Sequence, residues 1–143
     1  MSRHRASAVW SGSLPTGSGT MTLGRKGPEI GYTLDARIQE EAGTNPEQML
    51  GAALAGCFSM SLTNLIEESG IAGDSVVVRT DAVVHLEQKP DGFWVTQIDL
   101  VCRGTAPGMD EAAFMALAEQ SKATCPVSKL YSSATITLDV ALA

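Results

Sequence analysis

An α+β fold is predicted for this chain by three patterns: segments in which apolar and polar residues alternate, two segments with helical starts and stops, and no internal repeat. The expected order is strands, helix, hairpin, helix, strand. At 143 residues and 44% hydrophobic composition the chain has material for one core, so residues 1–143 are expected to form a single domain.

The N-terminal "WSGSLPTGSGTMTLG" sets two short strand-like pieces in Gly and Ser, which predicts a hairpin. From Tyr32 to Ile38, Tyr32, Leu34, Ala36 and Ile38 share one face, with Thr33, Asp35 and Arg37 on the other. That is the pattern of a half-buried strand. "TNPEQ" then announces a helix: Thr44 or Asn45 can cap, Pro46 suits the first turn, and Glu47 opposes the positive end of the dipole. Thr44 and Glu47 have capping-box spacing. The helix should reach about Ser69 and stop at Gly70. Its centre is apolar or small all round, which predicts burial on most sides. In the next strand Val76, Val78, Thr80, Ala82, Val84 and Leu86 face one way, and Arg79, Asp81 and His85 the other. "KPDG" makes a turn, and Trp94, Ile98, Leu100 and Cys102 share a face of the returning strand. A second helix starts with Asp110 as cap and Met109 and Phe114 as a hydrophobic staple, and runs to about Thr124. Ala134, Ile136, Leu138, Val140 and Leu142 alternate in a last strand.

Composition excludes several functions. A net charge of −6 repels phosphates, so nucleic acid is not an expected partner. The uncharged run Met49–Leu62 is shorter than the roughly 20 residues of a membrane span. "MSRHRASAVW" is basic without a following apolar segment, so no membrane association is expected and the cytoplasm is the expected location. Cys57, Cys102 and Cys125 are too few and too scattered for a secreted disulfide framework, and with only His4 and His85 there is no zinc-type spacing. No metal is expected.

The three cysteines differ in prospect. Cys102 lies on an apolar strand face and reads as a buried inert thiol. Cys125 precedes Pro126, which places it where the second helix ends; spacing leaves it open between a structural and a reactive thiol. Cys57, in "AGCFSM", sits about 15 Å along its helix from the N-terminus, beyond the reach of the dipole. Burial would raise its pKa, so a nucleophilic Cys57 needs a cation from elsewhere. Arg25, Arg37, Arg79 and Arg103 are the candidates beyond the tail, and periodicity does not choose among them. Arg37 neighbours Glu40 and Glu41.

"TNPEQMLGAALAGCFSMSL" closely resembles the first cysteine motif of the osmotically inducible protein C family, the OsmC/Ohr thiol peroxidases. "ATCPVSKL" resembles its second cysteine motif, "AVWSG" and "ITLDV" fit as well, and the wording is nearer the OsmC branch. The resemblance implies antiparallel strands around a long buried central helix, with a second helix, in an intertwined homodimer. It implies a peroxidase with Cys57 as peroxidatic and Cys125 as resolving residue. Arg37 then stabilises the thiolate and orients the peroxide, and Glu47 holds that arginine. Glu47 lies about 15 Å down the helix from Cys57, so the implied site is completed across the subunit interface. The implied substrate is an organic hydroperoxide or hydrogen peroxide, with Met49, Leu50, Phe58 and Met60 as apolar surroundings that suit an alkyl group. No bound cofactor is implied; an external dithiol, such as a dihydrolipoyl group, resets the enzyme. Two rivals stand beside this reading. A cysteine hydrolase needs a basic partner, which His4 and His85 offer poorly. A non-enzymatic redox sensor or small hydrophobic-ligand carrier would use the thiol without turnover.

Overall fold

In the computed structural model, which describes residues 1–39 and 43–143, three short strands open the chain. β1 (Ala6–Ser11), β2 (Ser18–Leu23) and β3 (Glu29–Tyr32) form an antiparallel sheet in that order, so the expected hairpin is present. Gly19 is paired with Trp10 on one side and Tyr32 on the other, and a side chain there would collide with the Tyr32 ring. Its absence lets the two rings approach to 5.5 Å between centroids.

The strand expected over Tyr32–Ile38 does not form. β3 ends at Tyr32, and Asp35–Ile38 is a single helical turn, α1. The hydroxyl of Thr33 accepts the Ala36 amide at 3.2 Å, a local bond that competes with a strand ladder, and Asp35 and Arg37 suit the two ends of the turn. Ala36 alone is buried, so the alternation of apolar residues here was coincidental. These elements belong to the first of two compact units, Met1–Met49; the second is Leu50–Ala143. Glu40 and Glu41 lie outside the described residues.

Helix α2 (Pro46–Glu68) carries a capping box, shifted one residue from the expected pair. Asn45 Oδ1 accepts the Gln48 amide at 2.8 Å, and the Asn45 amide donates back to Gln48 Oε1 at 3.2 Å. The end is a Schellman motif: Ile71 N donates to Ile66 O and Gly70 N to Glu67 O, with Gly70 at φ +100°. The helix is less enclosed than expected. Gly51, Leu54, Phe58, Leu62 and Ile66 form one buried stripe, while Ala52, Ala53, Gly56 and Met60 on the remaining surface are exposed. At 23 residues it is longer than its uncharged run and has the length and composition of a membrane span. Its Leu54, Phe58, Leu62 and Ile66 nevertheless pack into a protein core with Ile98, Leu100 and Phe114.

β4 (Val77–Lys89) and β5 (Gly92–Thr105) make the expected antiparallel hairpin, and α3 (Glu111–Thr124) starts as expected, with Asp110 accepting the Ala113 amide at 2.9 Å. A short helix, α4 (Pro126–Leu130), follows, and β6 (Thr135–Leu142) then pairs with β5 in parallel. The other strand pairings are antiparallel as the resemblance implies, and this one is parallel, with α3 and α4 forming the crossover that parallel pairing requires. Ile98, Leu100 and Cys102 face the core, but Trp94 does not. The pairing shifts between His85 opposite Gln97 and Leu86 opposite Val95, which leaves Thr96 as a bulge and reverses the alternation before it. Val95 turns inward, and Trp94 lies outside with its indole donating to Asp91 at 2.9 Å.

Candidate active site

Each unit holds one part of the candidate chemistry. In the N-terminal unit, the side-chain amide of Asn45 donates to the Ala36 carbonyl at 2.6 Å and ties α1 to the start of α2. Arg37 therefore projects beside Glu47. Its Nη2 is 3.0 Å from Oε1 and its Nε donates to Oε2 at 3.2 Å, a bidentate fork that fixes the plane of the guanidinium. One edge of the fork is thus occupied; among the described residues nothing is hydrogen-bonded to Nη1. Arg37 also lines a cavity of about 90 Å³ with Trp10, Leu14, Tyr32 and Pro46. At about 30 Å³ per water this is room for a small apolar group.

In the C-terminal unit, α2 presents Cys57 and the end of α3 presents Cys125, and the two thiols lie near enough for Cys125 to raise the Cys57 thiol. Ser121 sets this approach. Its buried hydroxyl donates to the Phe58 carbonyl at 3.0 Å, and its own carbonyl accepts the Cys125 amide at 2.9 Å, so one residue bonds next to both cysteines. Pro126 has no N–H to leave unpaired, and the next two amides of α4 face the two cysteines. The Val127 amide lies near enough to Cys57 to lower its thiol, and the Ser128 N–H donates to Cys125 Sγ at 3.3 Å. The Ser128 hydroxyl is 3.0 Å from Cys125 Sγ. Cys102 is wholly buried on the inner face of β5, and burial pushes its thiol up.

The Cys57 thiol is also raised. Burial is the main cause, the Val127 amide opposes it, and the hydrogen bond and charge of Cys125 add to it. The surroundings within this unit therefore favour the thiol over the thiolate, as expected for a cysteine without a cation.

The residues expected to surround a substrate divide. Met60 is exposed, and Met49 and Leu50 are half-buried. Phe58 is wholly buried and belongs to the core with Leu54 and Leu62, so it offers no surface to a ligand. Sequence reasoning missed Ser121, Ser128 and the Arg37 cavity. Pro126 was the available sign of a new helix start just after Cys125.

The chain belongs to the OsmC-like protein family, whose model matches residues 39–140. Peroxiredoxin OsmC of Escherichia coli (strain K12) is 37% identical over 144 residues, covering 96% of this chain and 95% of its own. An organic hydroperoxide resistance protein of Xanthomonas axonopodis pv. citri (strain 306) is 32% identical over 127 residues, 80% of this chain and 85% of its own. Among solved structures, an OsmC-like protein of unknown function from Vibrio cholerae superposes with a TM-score of 0.77 at 16% identity, covering 98% of this chain and 99% of its own. The organic hydroperoxide resistance protein OhrB of Bacillus subtilis gives 0.65 at 22%, covering 97% and 98%. At such identities the structures establish the shared fold.

Proposed function

We propose that the protein is a cysteine-based peroxidase that reduces hydroperoxides, organic ones in particular, to alcohol and water. The observation that carries this reading is the Cys57–Cys125 pair, two neighbouring free thiols of which Cys125 accepts the Ser128 amide at 3.3 Å. The names of the relatives, a peroxiredoxin and a hydroperoxide resistance protein, support the same reading. In the cycle the Cys57 thiolate attacks one peroxide oxygen, the O–O bond breaks, and the departing alkoxide or hydroxide takes a proton. Cys57 is left as a sulfenic acid. Cys125 then displaces its oxygen as water and closes a disulfide, ahead of oxidation to the sulfinic acid. An external dithiol, such as a dihydrolipoyl group, reduces that disulfide by exchange, and no step uses a bound cofactor.

Because the thiol is raised by its own surroundings, the thiolate needs a cation, and Arg37 held by Glu47 is the group for it. We assign it to a homodimer in which Arg37 and Glu47 of one subunit serve Cys57 of the other. The exposed apolar residues of α2, Ala52, Ala53, Gly56 and Met60, support a covered helix in that assembly. The Arg37 cavity, with walls of Trp10, Leu14 and Pro46, suits the alkyl part of a small organic hydroperoxide.

Peptide mapping without reductant, after one equivalent of an alkyl hydroperoxide, tests the cycle. A Cys57–Cys125 disulfide that dihydrolipoamide returns to thiols supports it; persistence of peroxide beside two reduced cysteines refutes it. The raised Cys57 thiol is the one observation that favours a slower redox sensor. Sustained turnover with a dithiol excludes that second reading.

A further inference from the structure

Cys125 Sγ has more around it than a resolving thiol needs for position alone. It accepts the Ser128 amide at 3.3 Å, lies 3.0 Å from the Ser128 hydroxyl, and neighbours Cys57. The amide bond caps α4, and any non-proline residue at 128 would supply it. The hydroxyl is different, because it comes from the side chain alone. Cys125 is 1% exposed and Ser128 6%, so water has little access to replace that hydroxyl.

We propose that the Ser128 hydroxyl is a catalytic group of the disulfide-forming step, a role that rests on the two-cysteine cycle above. With the Ser128 amide already on the sulfur, the Cys125 proton is donated to Ser128 Oγ. As the proton leaves, the hydroxyl turns from acceptor to donor, since serine can be either, and makes a charge-assisted bond to the thiolate. The S–S bond then forms and the S–O bond of the sulfenic acid breaks, its electron pair leaving with oxygen. The Cys57 sulfur is reduced and the Cys125 sulfur oxidised. The departing hydroxide takes up the proton lost by Cys125 and leaves as water.

The test compares Ser128→Thr with Ser128→Val, two side chains of one shape that differ in the hydroxyl. One equivalent of an alkyl hydroperoxide is mixed with reduced protein, and peroxide loss and Cys57–Cys125 disulfide are followed separately by quenching and mass mapping. In Ser128→Val the ratio of the disulfide rate to the peroxide rate should fall about tenfold, the lower end for a hydrogen bond to a charged group. Ser128→Thr should restore the ratio, and excess peroxide should yield more Cys57 sulfinic acid in the valine variant. An unchanged ratio in Ser128→Val, or equal losses in both variants, overturns the proposal. Peroxide consumption by the unsubstituted protein without any Cys57–Cys125 disulfide refutes the two-cysteine cycle instead, and is read before either variant.

Discussion

The thiol pair and the Arg37–Glu47 pair are built on opposite principles. Cys57 and Cys125 are held by three helices, Cys125 fully buried and Cys57 half-buried, and burial raises the Cys57 thiol. Arg37 and Glu47 stand partly in water, with side chains 35% and 16% exposed, on a one-turn helix and the first turn of α2. Such a pair contributes about 1 kcal/mol or less to stability. Burial protects a sulfenic acid from side reactions but suppresses the nucleophile, whereas partial exposure leaves a cation available to another group. In the proposed cycle the first region would supply the sulfur chemistry and the second the charge.

The sharpest way to break this division is to remove one side. Cys57→Ser should abolish peroxide turnover outright. Arg37→Met should lower kcat/KM for an alkyl hydroperoxide by about 10²-fold to 10³-fold, the scale of removing one electrostatic stabiliser, with little change in thermal midpoint. Arg37→Lys should restore little, because an ammonium cannot keep the Glu47 fork and meet a second anion in the same plane. Alkylation of Cys57 should then need higher pH in Arg37→Met, since burial, which raises the thiol, would be left unopposed by the arginine. An alkylation profile identical to the parent's would separate Arg37 from the thiol.

Ser121→Ala reaches the other region. It removes the bond from Ser121 Oγ to the Phe58 carbonyl but keeps the backbone bond to Cys125. The expected loss is about 1 kcal/mol, or about 4 °C in Tm for a chain of this size. Disulfide formation should slow as α3 loosens from α2. A large stability loss from Arg37→Met with none from Ser121→Ala would reverse the comparison.

The element order was legible because both strands of the β4–β5 hairpin and β6 alternate, and because Asp110 and the Asn45–Pro46 pair announce helices. What failed did so for local reasons. Seven alternating residues around Arg37 resembled a strand, yet one Thr33 hydroxyl was enough to start a turn. Trp94 was misplaced because a bulge at Thr96 leaves no mark in periodicity. The parallel pairing of β6 was hidden because a strand's own pattern does not name its neighbour. Of the site, the sequence pattern marked Cys57 as anomalous and the family resemblance singled out Cys125, Arg37 and Glu47. Ser121 and Ser128 were illegible, since each acts through a bond made possible only when α2, α3 and α4 are packed.

The smallest expected effect extends the contrast between burial and exposed pairing to a carboxylate outside both regions. Asp99, on the outer face of the second sheet, is lowered to about 2 by the Thr137 hydroxyl first, then by His85 at 2.6 Å, then by Gln97. It is partly exposed, and bonding to the charged form outweighs the burial that would raise it, the opposite of the balance at Cys57. A carboxylate whose folded value lies below its ordinary 3.8 adds stability above that value, and the contribution disappears as pH falls through about 2. Thermal midpoints of the parent and Asp99→Asn should therefore differ slightly at pH 5, the parent being higher, and converge between pH 4 and pH 2. A gap that persisted to the acid end would mean that the substituted amide disturbs the sheet by its shape, and that the charge of Asp99 contributes nothing.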